Sequence, residues 1–214
     1  MTRGQKGDRA GGSPSPGSPV DEAIAAIRRG SLVVIPTDTV YGLGTRPDDP
    51  AATARIFEVK GRPRDLTLPV LVPDEQHARG IASFDERAER LVAAFWPGSL
   101  TIVLPRTIGS ASWDLGGDPG TVGVRVPGHR LARSVLAGSG PMAVTSANRS
   151  GEPPCTTGEQ LVAAFGDTVA IYLCDEVPLD GVASTVVDLA HGELKVLRQG
   201  SLQAERIRAV ADGH

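Results

Sequence analysis

The distribution of apolar and polar positions divides the chain into short alternating elements. Ser18-Pro19-Val-Asp-Glu22 followed by Ile24 and Ile27 on one face, Arg28 and Arg29 at the end and then Gly30 predicts a capped helix. Ser31-Leu-Val-Val-Ile35 is a β-branched apolar run stopped by Pro36, which predicts a strand buried on both faces. A loop over 36–44 follows. Asp49-Pro50 opens a second helix with Ile56 and Val59 inward, and 68–72 reads as the next strand. Helices are expected over 74–80 and 86–95, with a strand over 100–104. A Gly/Ser/Asp-rich loop over 106–120 is long enough to be functional or mobile.

Further on, the pattern predicts strands over 122–126, 142–145 and 168–173. Helices are expected over 129–137 and 158–165, with a hairpin turning at His191-Gly192 and a last helix from about 202. Strands alternating with helices predict an α/β domain, and the late hairpin makes its sheet mixed rather than purely parallel. Residues 1–19 are charged and then rich in Gly, Ser and Pro, too poor in apolar surface to offset the entropy of ordering. They read as a disordered tail ahead of one folded domain over 20–214.

Composition narrows the function. With 4% aromatic residues, the core must be built from Ala, Val, Leu and Ile, and few rings remain to stack on bases. The formal charge of −3 splits into +2 over residues 1–19 and −5 over the remainder, so nucleic-acid coating is not implied. Cys155 and Cys174 have no CxxC or histidine partner at zinc-ligand spacing, and the four histidines (His77, His129, His191, His214) are scattered, so no metal site is expected. No apolar run approaches a bilayer span and no export signal is visible. The expected location is the cytoplasm.

Three loops carry candidate chemistry. Pro36-Thr-Asp-Thr-Val-Tyr-Gly-Leu-Gly44 crowds Thr37, Asp38 and Thr39 at a strand end, with Gly42 and Gly44 allowing close approach of backbone to a small polar ligand. Lys60-Gly-Arg-Pro-Arg64 places cations on a stiff turn, suited to phosphate or bicarbonate oxygens, or to complementing a helix dipole. Thr145-Ser-Ala-Asn-Arg-Ser-Gly151 sets Ser146 and Asn148 directly after an apolar strand, as a nucleotide phosphate or ribose requires, or as an Asx turn does.

Together these residues resemble the Sua5/YciO/YrdC family of threonylcarbamoyladenylate synthases, whose hallmark is a Lys-x-Arg turn paired with a later Ser-x-Asn: here Lys60-Gly-Arg62 and Ser146-Ala-Asn148. The likeness continues through PTDTVYGLG at 36–44, WPGSLTIVL at 96–104, TVGVRVPGH at 121–129, TSANRSGEP at 145–153, STVVD at 184–188 and LRQG at 197–200. It implies a YrdC-like open twisted mixed sheet flanked by helices, with a concave active-site face, in the short single-domain form. The implied reaction condenses L-threonine with bicarbonate and joins the carbamate to the α-phosphate of ATP, releasing pyrophosphate, with Mg²⁺ accompanying the nucleotide. A threonylcarbamoyl-transferase complex would then pass the group to adenosine in tRNA.

Carried over by position, the resemblance implies that Thr39, Arg125 and Ser184 bind threonine and that Arg62, Thr121, Ser146 and Arg198 bind ATP. Lys60 and Asn148 are implied in phosphate or bicarbonate binding, which makes Lys60, Arg62, Ser146 and Asn148 the expected catalytic group. Where the family commonly reads Asp-Asn-Pro-Leu-x-Val-His, this chain reads Asp65-Leu-Thr-Leu-Pro-Val-Leu71. Leu66 thereby replaces a nucleotide-contacting Asn and Leu71 a threonine-side His, while Pro154 stands where a ligand-contacting Ser is common. A paralogue of the same scaffold with another acceptor, and a noncatalytic RNA-binding module, are the two alternative expectations.

Overall fold

The computed structural model describes residues 17–214, so most of the expected tail lies outside the described residues. Helix α1 (Pro19–Arg28) starts where the sequence places it: the Ser18 hydroxyl accepts from the Asp21 amide while the Asp21 carboxylate accepts from Ser18, a reciprocal capping box. Helix α2 (Pro50–Lys60) is capped by Asp49 and ended by Gly61, whose φ of 62° terminates the helix in the left-handed region. Five further helices follow: α3 (Glu75–Ile81), α4 (Glu86–Phe95), α5 (Arg130–Ser139), α6 (Gly158–Phe165) and α7 (Ala204–Asp212).

Among the described residues, nine strands form one mixed sheet. They are β1 (Val33–Ile35), β2 (Gly42–Thr45), β3 (Val70–Leu71), β4 (Leu100–Pro105), β5 (Thr121–Arg125), β6 (Met142–Ser146), β7 (Ile171–Tyr172), β8 (Thr185–Asp188) and β9 (Lys195–Arg198), in the order β7-β1-β2-β6-β3-β5-β4-β8-β9. The β1–β7, β3–β5 and β4–β8 ladders are parallel and the others antiparallel.

Strand alternation sorts side chains to two faces. Val34, Leu43, Val70, Leu100, Ile102, Val122, Val124 and Val187 pack into the larger core with residues of α2, α4, α6 and α7. On the other face, Val33, Ile35, Leu71, Met142 and Val144 pack under α1 and α5. Those two helices cover only the β1 side of that face. Beyond them Thr101, Val103, Thr121, Gly123, Val186 and Asp188 line an open groove. The groove is therefore the half of one sheet face that the chain leaves without a helix.

Several expectations change. The 36–44 segment is a turn followed by strand β2, not a loop throughout. Gly42 and Gly44 hid this strand from the hydrophobic pattern; a Cβ at either would lie 2.5 or 2.7 Å from a Val144 methyl, so these glycines let β2 pack against β6. The strand near 168–173 shortens to Ile171–Tyr172 behind a single 3-10 turn. The 106–120 segment is pinned. Arg106 donates to the carbonyls of Thr121, Ser110 and Trp113, Leu115 is buried, and the Gly117 amide reaches the Arg64 carbonyl. Side chains at Gly116 and Gly117 would strike the Arg64 carbonyl and Thr67, so this loop lies directly against the Lys60–Arg64 turn and supports it.

Candidate active site

The open groove contains two adjoining cavities that share Arg62, Pro69, Thr101 and Arg198. The smaller, about 110 Å³, is also bordered by Thr39, Arg125, Ser146 and Ser184; the larger, about 380 Å³, by Thr121, Leu66, Val103, Val186, Asp188 and His191. Seven of the nine expected site positions named above thus border the groove. Lys60 and Asn148 lie behind it.

Arg125 is fixed on three sides. It projects from β5 in the middle of the sheet and is 4% exposed. Its Nε donates to the Gly98 carbonyl at 2.8 Å, one terminal nitrogen to Thr39 Oγ1 at 3.0 Å and the other to Asp38 at 2.7 Å. Asp38 also accepts from the Gly128 amide at 2.9 Å, which anchors the carboxylate. A guanidinium has five N–H groups, so one remains on each terminal nitrogen, the number a carboxylate takes bidentately.

Arg198 donates to the carbonyl and hydroxyl of Ser184, and that hydroxyl pairs with Thr101 at 3.0 Å. Arg62 is held from the other rim by the carbonyls of Leu66 and Thr67. Burial lowers the pKa of all three arginines, and the nearby Arg198 charge lowers Arg62 and Arg125 further, while Asp38 opposes the shift at Arg125. The smaller cavity is bordered by three guanidiniums and by no carboxylate. Such a lining suits an anionic ligand.

Lys60 and Asn148 have a different geometry from the others. The Lys60 ammonium, 3% exposed, donates to the carbonyls of Ser146 and Asn148 and, at 3.4 Å, to the Asn148 side chain. Burial, aided by the Arg62 charge, brings its pKa down to about 8. The Asn148 amide donates to the Arg149 and Glu152 carbonyls. Both residues spend their polar atoms inside the protein, and together they tie the end of α2 to the end of β6. The effect is to hold Arg62 and Ser146 on one groove.

Sequence reading left two contributors without a role. Asp38 was visible only as one polar residue among several, since its pairing with Arg125 spans strands far apart in the chain. Thr101 was signalled by being the one polar residue inside the apolar run Leu100–Leu104. Of the departures, Leu66 borders the larger cavity and Leu71 the smaller, whereas Pro154 lines a separate cleft with Arg149, Glu152 and Cys155. Trp96 packs edge-on against Phe84 and donates to the Leu100 carbonyl, as a packing anchor. His129 caps α5.

Comparison with known proteins decides the family. The Sua5/YciO/YrdC family model, described as telomere recombination, matches residues 25–200. The chain belongs to the Sua5/YciO/YrdC family. A Mycobacterium tuberculosis member, whose name as a threonylcarbamoyl-AMP synthase is provisional, is 45% identical over 190 residues, covering 88% of this chain and 87% of its own. A Chromohalobacter salexigens member named threonylcarbamoyl-AMP synthase is 38% identical over 178 residues, covering 81% and 94%. The crystal structure of Pyrococcus abyssi Sua5 complexed with L-threonine superposes with a TM-score of 0.81 at 36% identity, over 89% of this chain. The chain spans 56% of that longer archaeal protein.

At the far end of the larger cavity, His191 bonds Asp188 through Nδ1 at 2.8 Å and reaches Asp118 through Nε2 at 3.3 Å, linking the β8–β9 hairpin to the 106–120 loop. The bond to Asp188 is the main reason its pKa is raised, with the charges of Asp188 and Asp118 adding. The raised folded value means that this link stabilises the fold fully below the ordinary histidine pKa and is lost as pH rises through the folded one. An NMR pH titration is expected to show His191 titrating above a free histidine, and Asp188→Asn to move it back down. An unshifted His191 would show that the link does not hold in solution.

Proposed function

We propose that this protein is a threonylcarbamoyl-AMP synthase that uses L-threonine, bicarbonate and ATP. The observation that carries the reading is the acid-free cavity bordered by Arg62, Arg125 and Arg198 and continuous with a larger, partly apolar one. The family, and the names of its members, supply the substrates that this charge pattern suits.

In this reading the threonine carboxylate takes the two free N–H groups of Arg125, with Thr39 and Ser184 bordering the same cavity. The threonine amine adds to the carbon of bicarbonate-derived CO₂ and loses a proton, giving a carbamate. A carbamate oxygen then attacks the α-phosphorus of ATP, the bond from that phosphorus to the bridging oxygen breaks, and pyrophosphate leaves. Arg62 and Arg198 border both cavities, so they offset charge on the carbamate and the triphosphate as the two anions meet. Ser146 and Thr121 provide hydroxyls to the nucleotide, while Leu66, Pro69, Val103 and Val186 form apolar walls suited to a base.

Mg²⁺ would accompany ATP and offset charge on its phosphates, and no step is assigned to it. Among the described residues no helix is long and apolar enough to cross a membrane, and Cys155 and Cys174 are free. The product would serve a transferase complex that modifies tRNA to N6-threonylcarbamoyladenosine. Pyrophosphate release tests the reading: threonine is expected to drive it only together with ATP and bicarbonate, and release that proceeds equally with no amino acid present would refute it.

A further inference from the structure

The smaller cavity has a polar side and an apolar side, and the apolar side is built around Leu71. In the parallel β3–β5 ladder Leu71 is the register partner of Arg125. The two side chains stand on the same sheet face, on strands about 5 Å apart. Leu71 is 4% exposed: it packs beneath α1 and α5 with Met142 and Val144, and its remaining surface faces the cavity beside Pro69 and Val40. An amino acid whose carboxylate is held by Arg125 can therefore set its β-substituents against this wall.

The hydroxyls of Thr37, Thr39, Thr101 and Ser184 on this cavity are already engaged, and the Ser146 hydroxyl is the one given above to the nucleotide. Thr37 Oγ1 donates to the Val40 carbonyl and pairs with Thr39 Oγ1, which accepts from Arg125. Ser184 Oγ accepts from Arg198 and pairs with Thr101. What the Leu71 side of the cavity, with Val40, Pro69 and Val144, offers to the end of a short side chain is carbon.

Resting on the synthase reading, we propose that Leu71, flanked by Val40, Pro69 and Val144, selects the amino acid by contact with its γ-methyl. The subsite then takes small β-branched amino acids, valine as well as threonine, and disfavours serine. One methyl in an apolar pocket is worth roughly 10–200-fold in specificity, whereas such a pocket discriminates poorly against an isostere differing by a hydroxyl. The wall thus sets a large threonine-to-serine ratio and a small threonine-to-valine ratio.

The test compares threonine, valine and serine as substrates of the full chain, following pyrophosphate and the mass of each carbamoyl-AMP. In the unmodified protein kcat/KM for valine should lie within about tenfold of threonine, and serine should fall at least tenfold below. Leu71→Ala should shrink the threonine-to-serine ratio at least fivefold through the threonine KM while leaving the ATP KM unchanged. Leu71→Met, which conserves volume, should keep the ratio. Threonine product with valine no better than serine overturns the wall and leaves the synthase standing, as does an unchanged ratio in folded Leu71→Ala. Absence of product from every amino acid overturns both. If Leu71→Ala fails to fold, the three-substrate comparison in the unmodified protein still decides.

Discussion

Arg125→Lys should raise the KM for threonine by roughly 100- to 1,000-fold while leaving ATP affinity where it was, because a fork-shaped contact is replaced by a point charge. The arginine is buried and its positions are taken up by Gly98, Thr39 and Asp38, which leaves two N–H groups in a fixed plane. A lysine can keep the pairing with Asp38 but cannot at once hold that carboxylate and grip a second one with two parallel bonds. Asp38→Asn should act in the same direction and more weakly, since the guanidinium stays and only its orientation and local charge balance change. Steady-state kinetics with threonine and ATP varied separately checks this. An Arg125→Lys enzyme with a normal threonine KM would remove Arg125 from the amino-acid site.

Arg62→Ala is expected to cost about 100- to 1,000-fold in turnover, the range seen when one preorganised donor to developing charge is removed, with little change in thermal stability. Its guanidinium holds only two backbone carbonyls at the groove's rim, so the fold does not depend on it. It borders both cavities, so its loss reaches the step in which the carbamate and the α-phosphate meet. Lys60→Met makes the contrasting case. It unhooks the end of α2 from the carbonyls of Ser146 and Asn148, so loss of activity should come with greater protease susceptibility of the 146–152 segment. Turnover by folded Arg62→Ala at the level of the unmodified protein would contradict the placement of the phosphates.

Much of this was legible along the chain because it depends on local rules. Ser18 and Asp49 marked helix starts, Gly61 a helix end, and β-branched runs the buried strands. Strand β2 was not legible because its glycines answer to Val144, a neighbour about a hundred positions away. The site shows the same division. Its residue types and motif spacing named positions most of which the fold brings to one groove, since they sit at strand ends that converge. Individual roles needed distances: only the three acceptors around the Lys60 ammonium show it holding the Ser146–Asn148 loop, and only the Asp38 carboxylate shows how Arg125 is aimed. The 106–120 loop read as functional or mobile from its length and its Gly, Ser and Asp content, yet Arg106 and Leu115 pin it.

The central claim is that one groove joins the amino acid, the bicarbonate carbon and the adenylate. Incubating the purified chain with ATP, Mg²⁺, threonine and ¹³C-bicarbonate, and weighing the product, tests it in one measurement. The account predicts threonylcarbamoyl-AMP heavier by a single mass unit than that made from unlabelled bicarbonate, formed together with pyrophosphate. Folded protein that binds ATP yet yields no labelled adenylate would contradict it.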